Sequence, residues 1–256
     1  KQAAASGLSA TASSFVDADL GEADLTAAAL PGADLTGATV ADATLDSADL
    51  SGATLTDATA TDVRGEAADF SEADLTDADF AGATVERAVF DGACLADGTF
   101  TGAVLASATL GQVTAQEADF ADADLTDADF ERATLTDASF DEAELRGATL
   151  SGATLERTTL RGVTAEAAAF DDAVLRETVL REAELSDVDL GGADADGVDF
   201  ADATMSRADL AGATLADATL DRVSLADANL AETTVRQTSA VEIRATDADL
   251  TGATVT

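Results

Sequence analysis

The sequence predicts an all-β solenoid, a chain that turns a corner every five residues and stacks on its own neighbouring coils. From Phe15 to Val255, every position divisible by five is apolar or glycine, and the residue two positions earlier is small or β-branched and never charged. These positions form 49 consecutive five-residue units without an insertion or deletion. A short fixed repeat that buries nothing alone, but stacks on its neighbours, is typical of a solenoid.

The five-residue period excludes the ordinary regular elements. An apolar stripe recurs about every 3.6 residues on a helix and at every second residue on one face of a strand. Wound as an α-helix, the Leu and Phe side chains would be spread around the whole surface, and in a flat strand they would alternate between faces. Two inward positions in every five fit a chain that turns a corner once per unit.

The tandem motif resembles a known family. Units such as Ala18-Asp19-Leu20, Ala23-Asp24-Leu25 and Ala33-Asp34-Leu35 continue in register to Ala248-Asp249-Leu250. The pattern is similar to that of the pentapeptide-repeat proteins over residues 13–256. The resemblance implies a right-handed, four-sided parallel β-helix with four five-residue units per coil and the Leu or Phe and the preceding Ala pointing inward. About 12 coils stacked at ~4.8 Å would make a rod roughly 58 Å long.

The residue types agree with this assignment. Neither inward column contains Asp, Glu, Lys or Arg, so all 51 acidic residues and all 12 arginines point outward. Burial of an unpaired charge would be costly. The position two after each of these fifth positions holds 13 of the 19 glycines. Glycine and Asp tolerate turn conformations, which predicts corners at these positions.

Phenylalanine placement predicts an even number of sides. Nine of the ten Phe residues fall on multiples of ten. With four units per coil, these positions lie on two opposite faces, where Phe80, Phe100, Phe120 and Phe140 stack one per coil. The other two faces receive small residues: Gly65, Ala115, Ala165, Ala195 and Ala245. Large and small side chains on alternate walls would fill a narrow lumen at native density.

The domain prediction is simple. Residues 1–12 are expected to form an N-terminal lead-in or cap, and residues 13–256 a single β-helix domain. No apolar run is long enough to span a membrane, and no signal peptide is visible. We expect no membrane insertion and favour a cytoplasmic over an extracellular location. Because the repeat continues in register to Thr256, an end-to-end homodimer and further domains beyond Thr256 both stay open.

Charge is the second informative feature. The net charge is −38, Asp outnumbers Glu by 36 to 15, and Lys1 is the one lysine. Abundant Asp with almost no Lys resembles proteins adapted to concentrated salt. Like charges at this density repel until salt screens them. The acidic surface therefore predicts a halophilic protein.

The charge density leaves two functions open. The predicted rod would carry one net charge per ~1.5 Å, close to the one per ~1.7 Å of duplex DNA. Members of the family that protect DNA gyrase resemble DNA in shape and charge, which makes a DNA-mimicking regulator of gyrase the alternative. We expect the acids to spread over all outward columns rather than to form two rows. This favours a protein-interaction or structural scaffold that does not bind nucleic acid directly.

The sequence offers no catalytic, cofactor-binding or metal-binding residues. Histidine, Trp and Tyr are absent, and acid–base catalysis needs environments that separate two pKa values. We therefore predict a protein that is not an enzyme. Two weaker signals are present: residues 191–196 faintly resemble a calcium-binding glycine–aspartate repeat, and Cys94 is either an ordinary exposed thiol or a site for an intermolecular disulfide.

A coil of four units also predicts which charges meet. Glu156 would lie next to Arg176, Arg157 next to Glu177, and Arg222 between Asp202 and Glu242. Exposed pairs of this kind contribute only ~0–1 kcal/mol each.

Overall fold

The structure, a computed structural model, describes residues 5–256. The chain divides into two compact units, residues 5–129 and 130–256. In both units a residue forms a parallel bridge with the residue 20 positions later, as Asp19 does with Thr39 and Thr134 does with Thr154. One coil therefore holds four five-residue units, which confirms the four-sided parallel β-helix. The described residues contain no helix.

Most five-residue units contribute a single bridge residue, and three extend into short strands. These are β1 (Thr214–Ala216), β2 (Thr234–Arg236) and β3 (Thr254–Val255). They form a parallel sheet in the order β1-β2-β3. Thr214 pairs with Thr234, which in turn pairs with Thr254. The strands thus keep the same register as the isolated bridges.

Four of the five backbone N–H groups in a typical unit have fixed backbone partners, as residues 75–79 illustrate. The N–H groups of Leu75 and Asp77 donate to carbonyls of the following coil, at 2.7 and 3.0 Å. The Ala78 N–H closes a β-turn on the Leu75 carbonyl at 3.1 Å. The Asp79 N–H donates to the preceding coil at 2.9 Å. Regular bonds between coils therefore replace long strands.

The third residue of every turn adopts a left-handed conformation. Its φ lies between 50° at Ala12 and 75° at Gly252, with 57° at Asp77. This confirms that the corners lie two positions after each Leu or Phe, where the sequence places most of its glycines. Gly32 follows Pro31 in one such turn, and proline favours the second position of a turn because its φ is already fixed.

The two inward columns form the core. Their side chains are buried from Ala23 to Leu230, which confirms the inward and outward positions predicted from the sequence. Burial is incomplete in the first and last coils. Leu250 and Val255 are 53% and 70% exposed, although the repeat predicts both as inward.

Threonine replaces the inward alanine at several positions without leaving a polar group unsatisfied. Thr158, Thr178 and Thr233 are fully buried. Each hydroxyl donates to a leucine carbonyl 23 residues earlier, at 2.7, 2.6 and 2.9 Å respectively. A buried hydroxyl without such a partner would be destabilising.

Phenylalanine rings form ordered stacks in residues 5–129. Phe100 stacks on Phe80 with a centroid distance of 5.3 Å and on Phe120 at 5.0 Å. Phe70 stacks on Phe90 at 4.9 Å on the opposite wall. Rings of the two walls meet edge to face, at 5.8 Å for Phe70 and Phe80. The predicted phenylalanine walls are confirmed within this unit.

The predicted separation of large and small residues is incomplete. Ala60 is fully buried on the same wall as Phe80 and Phe100. Large rings therefore occupy part of this wall and not its whole length.

Gly98 provides a test of packing around the ring stack. A Cβ atom at this position would lie 3.1 Å from Phe100 Cε2 and 3.0 Å from the Leu95 carbonyl oxygen. The ring cannot yield easily because Phe80 and Phe120 cover both its faces. We expect Gly98→Ala to lower the free energy of unfolding by ~1–3 kcal/mol in urea denaturation.

Gly65→Ala is the matched control for this substitution. Its added methyl group would lie 3.3 Å or more from its neighbours, so its effect should be smaller. A larger loss for Gly65→Ala than for Gly98→Ala would contradict the packing argument.

The predicted N-terminal lead-in, residues 1–12, begins with four residues that lie outside the described part of the chain. Residues 5–12 already make coil-to-coil bonds, including Ala5 N–H to Asp24 and Ala10 N–H to Ala29, both at 2.8 Å. The boundary at residue 12 and the single-domain organisation stay predictions.

A helix that crosses a bilayer needs ~20 apolar residues. The described residues contain no helix of that length and apolar character.

Candidate interaction surface

In many units an Asp stands immediately before the buried Leu or Phe and completes the turn that follows. The second turn residue has the one N–H group that the backbone pattern leaves without a carbonyl. In the turn after Leu75, the Thr76 N–H donates to Asp74 Oδ1 at 3.1 Å. The same bond recurs at many units, including those of Asp19, Asp49, Asp79, Asp119 and Asp199. A short carboxylate that accepts from the residue two positions later is a typical turn device.

A second arrangement satisfies the same N–H group from the preceding coil. Asp46 accepts from the Glu66 N–H at 3.0 Å, and Asp141 accepts from the Arg161 N–H at 2.9 Å.

The Asp that accepts in the first arrangement stands immediately before a fifth position. At these positions the sequence has 15 Asp residues and two Glu residues. The short Asp side chain is suited to both bonds, so much of the Asp excess has a structural cause. Sequence reasoning missed this role, although the Asp bias at one position was visible. Adaptation to salt stays a prediction.

Asp34 offers a direct test of a turn cap. The Thr36 hydroxyl donates to it at 2.7 Å and the Thr36 N–H at 3.1 Å, and these bonds lower the pKa of Asp34. A lowered folded-state pKa adds stability above the unfolded-state value of ~3.9, and this stability is lost as pH falls through the folded-state pKa. We expect Asp34→Ala to lower the melting temperature at neutral pH. At a pH below the folded-state pKa of Asp34, the variant and the parent should melt at the same temperature. A constant difference across the acid range would contradict the assignment.

Stacked turns gather acidic residues on one side of residues 5–129. We call this side the acidic face. It contains twelve acidic residues and neither Lys nor Arg. Its members are Asp17, Asp19, Glu22, Asp42, Asp57, Asp62, Asp77, Asp79, Asp97, Glu117, Asp119 and Asp122.

Two turn columns form the edges of the acidic face. One carries Asp57, Asp77, Asp97 and Glu117 on successive coils. The N–H groups of the first three donate to the next coil at 3.1, 3.0 and 2.9 Å, which aligns the turns. Carboxylates thus recur every ~4.8 Å along this edge. The other edge includes Asp62 and lies five residues further along the chain, at most ~17 Å away.

This arrangement differs from the even spread expected from the sequence. Over the whole chain, acidic residues do occur in all outward columns, but nearly half of the 25 acids of residues 1–129 lie on the acidic face. The reason is the coil of four units, which brings every twentieth residue into one column.

Residues 130–256 carry a different pattern because arginine is frequent there. Arg157 donates to both oxygens of Asp137 at 2.7 and 2.5 Å, and Arg222 does the same to Asp202 at 2.5 and 2.6 Å. Arg207 pairs with Asp187 in the same way, with its Nε at 2.7 Å. Each of these pairs links turns on successive coils.

The predicted charge partners are found in part. Arg176 lies 3.7 Å from Glu156 as expected, although its shorter pair is with Asp194 at 2.5 Å. Arg222 pairs with Asp202, as predicted. Arg157 pairs with Asp137 and not with Glu177. The hydrogen bond to Asp137 raises the pKa of Arg157, and the charge of Glu177 raises it further without direct contact.

The shifted carboxylates all favour the ionised form. Hydrogen bonds from Arg157, Arg207 and Arg222 lower the pKa values of Asp137, Asp187 and Asp202. The Ser239 hydroxyl and the Val241 N–H lower the pKa of Asp221. A carboxyl group with a lowered pKa stays charged at neutral pH, which suits the recognition of an opposite charge. A carboxyl group that acts as a general acid near neutral pH needs a raised pKa.

The structure does not arrange the stretch 191–196 or Cys94 as part of a metal-binding site within the described residues. In the stretch 191–196, Asp194 pairs with Arg176, and Asp196 accepts from the Ala216 N–H at 3.2 Å. Within residues 5–256, no group of three or more His, Cys, Asp or Glu side chains is placed to hold a metal ion. Cys94 is half-buried, with its Sγ 3.3 Å from Thr76 Oγ1.

Comparison with known proteins identifies the repeat. The family model described as pentapeptide repeats (8 copies) matches residues 10–40, 18–57, 68–106, 103–140, 123–162, 160–202 and 183–222. No curated protein sequence matches the chain.

Several solved structures are similar. HetL, a pentapeptide repeat protein involved in heterocyst differentiation regulation from Nostoc sp. strain PCC 7120, is 25% identical, with a TM-score of 0.45 over 95% of this chain and 89% of its own. A pentapeptide repeat protein from the Arabidopsis thaliana thylakoid lumen is 34% identical over 39% of this chain and 66% of its own, with a TM-score of 0.31. Full-length QnrB1, a plasmid-mediated fluoroquinolone resistance protein, is 18% identical over 83% of this chain and 91% of its own, with a TM-score of 0.35. The family match covers most of the sequence, so the chain belongs to the pentapeptide-repeat family and has the right-handed, four-sided parallel β-helix predicted from its sequence.

Proposed function

We propose that this chain is a non-enzymatic interaction scaffold whose acidic face binds a protein with a basic surface. The observation that carries the proposal is the set of twelve acidic residues without Lys or Arg on one side of residues 5–129. Regular bonds between coils hold the turns that display them, so the charges are ordered before binding. Complementary charge steers association and suppresses partners of the wrong sign. Nucleic acid would be repelled by this face.

A pair of matched variants tests the role of the acidic face. Asp57→Asn with Asp77→Asn removes two charges from its edge. Glu72→Gln with Asp127→Asn removes two charges elsewhere, from turn positions with the same left-handed conformation. Lysozyme serves as a compact basic probe in calorimetric titrations. We expect weaker binding for the acidic-face variant than for the control, and an equal loss would contradict the proposal.

The second candidate is a DNA-mimicking regulator of an enzyme such as DNA gyrase. The observation that favours it is the pair of acidic edges, which follow the stacked coils as two rows. One edge presents a carboxylate every ~4.8 Å, compared with one phosphate per ~3.4 Å of axis on each DNA strand. The regular rows are nearer to DNA than an even spread of acids would be.

Gyrase supercoiling assays distinguish the two candidates. A DNA mimic should inhibit supercoiling by the parent chain, with inhibition reduced by Asp57→Asn and Asp77→Asn but retained by the control pair. Lysozyme binding through the acidic face without gyrase inhibition would favour the general scaffold.

A further inference from the structure

The two units balance their charge differently. Residues 1–129 contain 25 acidic residues and three basic ones, Lys1, Arg64 and Arg87. Residues 130–256 contain 26 acidic residues and ten arginines. The acid content is therefore almost equal, while the opposing charge is concentrated in the second unit.

Arginines of the second unit connect successive coils. Seven of them reach a carboxylate on a neighbouring coil: Arg146 to Glu166, Arg157 to Asp137, Arg161 to Asp141, Arg176 to Asp194, Arg181 to Asp199, Arg207 to Asp187 and Arg222 to Asp202. Within the described part of the first unit there is one such pair, Arg87 with Glu66. Exposed pairs contribute little individually, but four of these arginines have an acidic residue at the same position of both neighbouring coils: Arg157, Arg176, Arg207 and Arg222.

Aromatic packing is distributed in the opposite sense. The first unit contains the stacks of Phe70 on Phe90 and of Phe80, Phe100 and Phe120. In the second unit, Phe130 meets Phe140 edge to face at 5.8 Å, and the side chains around Phe170 and Phe200 are aliphatic. The first unit therefore combines better aromatic packing with less compensated charge. Salt screens charge repulsion and does not weaken apolar burial.

We propose that ionic strength acts selectively on the first unit. Removal of salt opens residues 5–129 while residues 130–256 keep their structure. The arginine pairs of the second unit offset charge repulsion that, in the first unit, is screened mainly by dissolved cations. The device makes the order of the acidic face depend on ionic conditions. This consequence for binding rests on the proposed function, whereas the stability difference does not.

Hydrogen exchange of the full chain, read by mass spectrometry, tests this directly. The measurement compares about 0.01 M and about 1 M KCl, where the Debye length is ~30 Å and ~3 Å. We expect amides of residues 5–129 to exchange at least about tenfold faster at low salt, and those of 130–256 to change less than about threefold. A parallel response of both units, or a larger one in 130–256, would overturn the proposal.

Two reciprocal substitutions locate the cause. Asp77→Arg places an arginine between Asp57 and Asp97, as Arg157 lies between Asp137 and Glu177. Exchange of the amides in residues 57–97 should slow at low salt. Arg157→Gln should accelerate exchange of residues 137–177 at low salt and leave it unchanged at high salt. If neither variant alters the salt response of its unit, the arginine pairs are not its source.

These experiments separate the inference from the proposed function. If the chain does not bind lysozyme but the first unit still responds selectively to salt, the proposed function is contradicted and the inference is not. If both units respond equally to salt while lysozyme binding is retained, the inference is contradicted and the proposed function is not.

Discussion

Replacement of Phe100 with alanine is expected to lower the free energy of unfolding by ~3–5 kcal/mol. The side chain is fully buried, stacks on Phe80 and Phe120, and meets the edge of Phe90 at 6.3 Å. Its removal forfeits burial and leaves a cavity that the stacked neighbours cannot fill without losing their own contacts. Urea denaturation, with hydrogen exchange to locate the loss, measures the effect.

The adjacent residue provides the control. Thr99 points outward and is partly exposed, so Thr99→Ala should change stability by no more than about 0.5 kcal/mol. Similar losses for Phe100→Ala and Thr99→Ala would mean that the inward and outward columns are wrongly assigned.

Insertions in the turn between Asp77 and Ala78 are expected to have effects that depend on their length. One added residue shifts the inward columns of the following units outward unless the turn bulges, so we expect a loss above ~3 kcal/mol, as for several buried side chains. An added coil of four complete units preserves every column and should be tolerated. Thermal denaturation of the parent and of the two insertion variants gives the comparison.

An insertion of one five-residue unit tests the walls separately. The alternation of inward and outward positions survives, but Phe80 moves to the wall of Gly65, and Phe70 loses its stack with Phe90. An intermediate loss of stability is expected. If the insertion of one unit and the insertion of a whole coil are tolerated equally, the placement of rings on particular walls does not contribute to stability.

The core was predictable because its information is local and repeated. A buried Leu or Phe at every fifth position leaves one arrangement of inward columns, and the spacing of Phe80, Phe100 and Phe120 shows which rings stack. The incomplete burial of Leu250 and Val255 follows from the same pattern, since a side chain in an inward column is covered only where a further coil stacks on it.

The surface was predicted less well, for two physical reasons. The cap that Asp74 forms on the Thr76 N–H becomes clear only when the backbone bonds leave that group without a carbonyl. The partner of Arg157 depends on side-chain rotamers, because Asp137 and Glu177 are equally distant in sequence. The acidic face could have been found by arranging the sequence in rows of four units, since the columns are a matter of register alone.

The left-handed turns determine how the chain must fold. Among the described residues, 36 other than glycine adopt φ between 50° and 65° at the third turn position. Each is strained by roughly 1–2 kcal/mol, and a single coil has no neighbour to supply the bonds that offset this strain. Nucleation therefore requires several coils to assemble together, after which each added coil gains its full set of bonds at once. During synthesis, the nascent chain would stay unstructured until a few coils had left the ribosome and would then grow coil by coil.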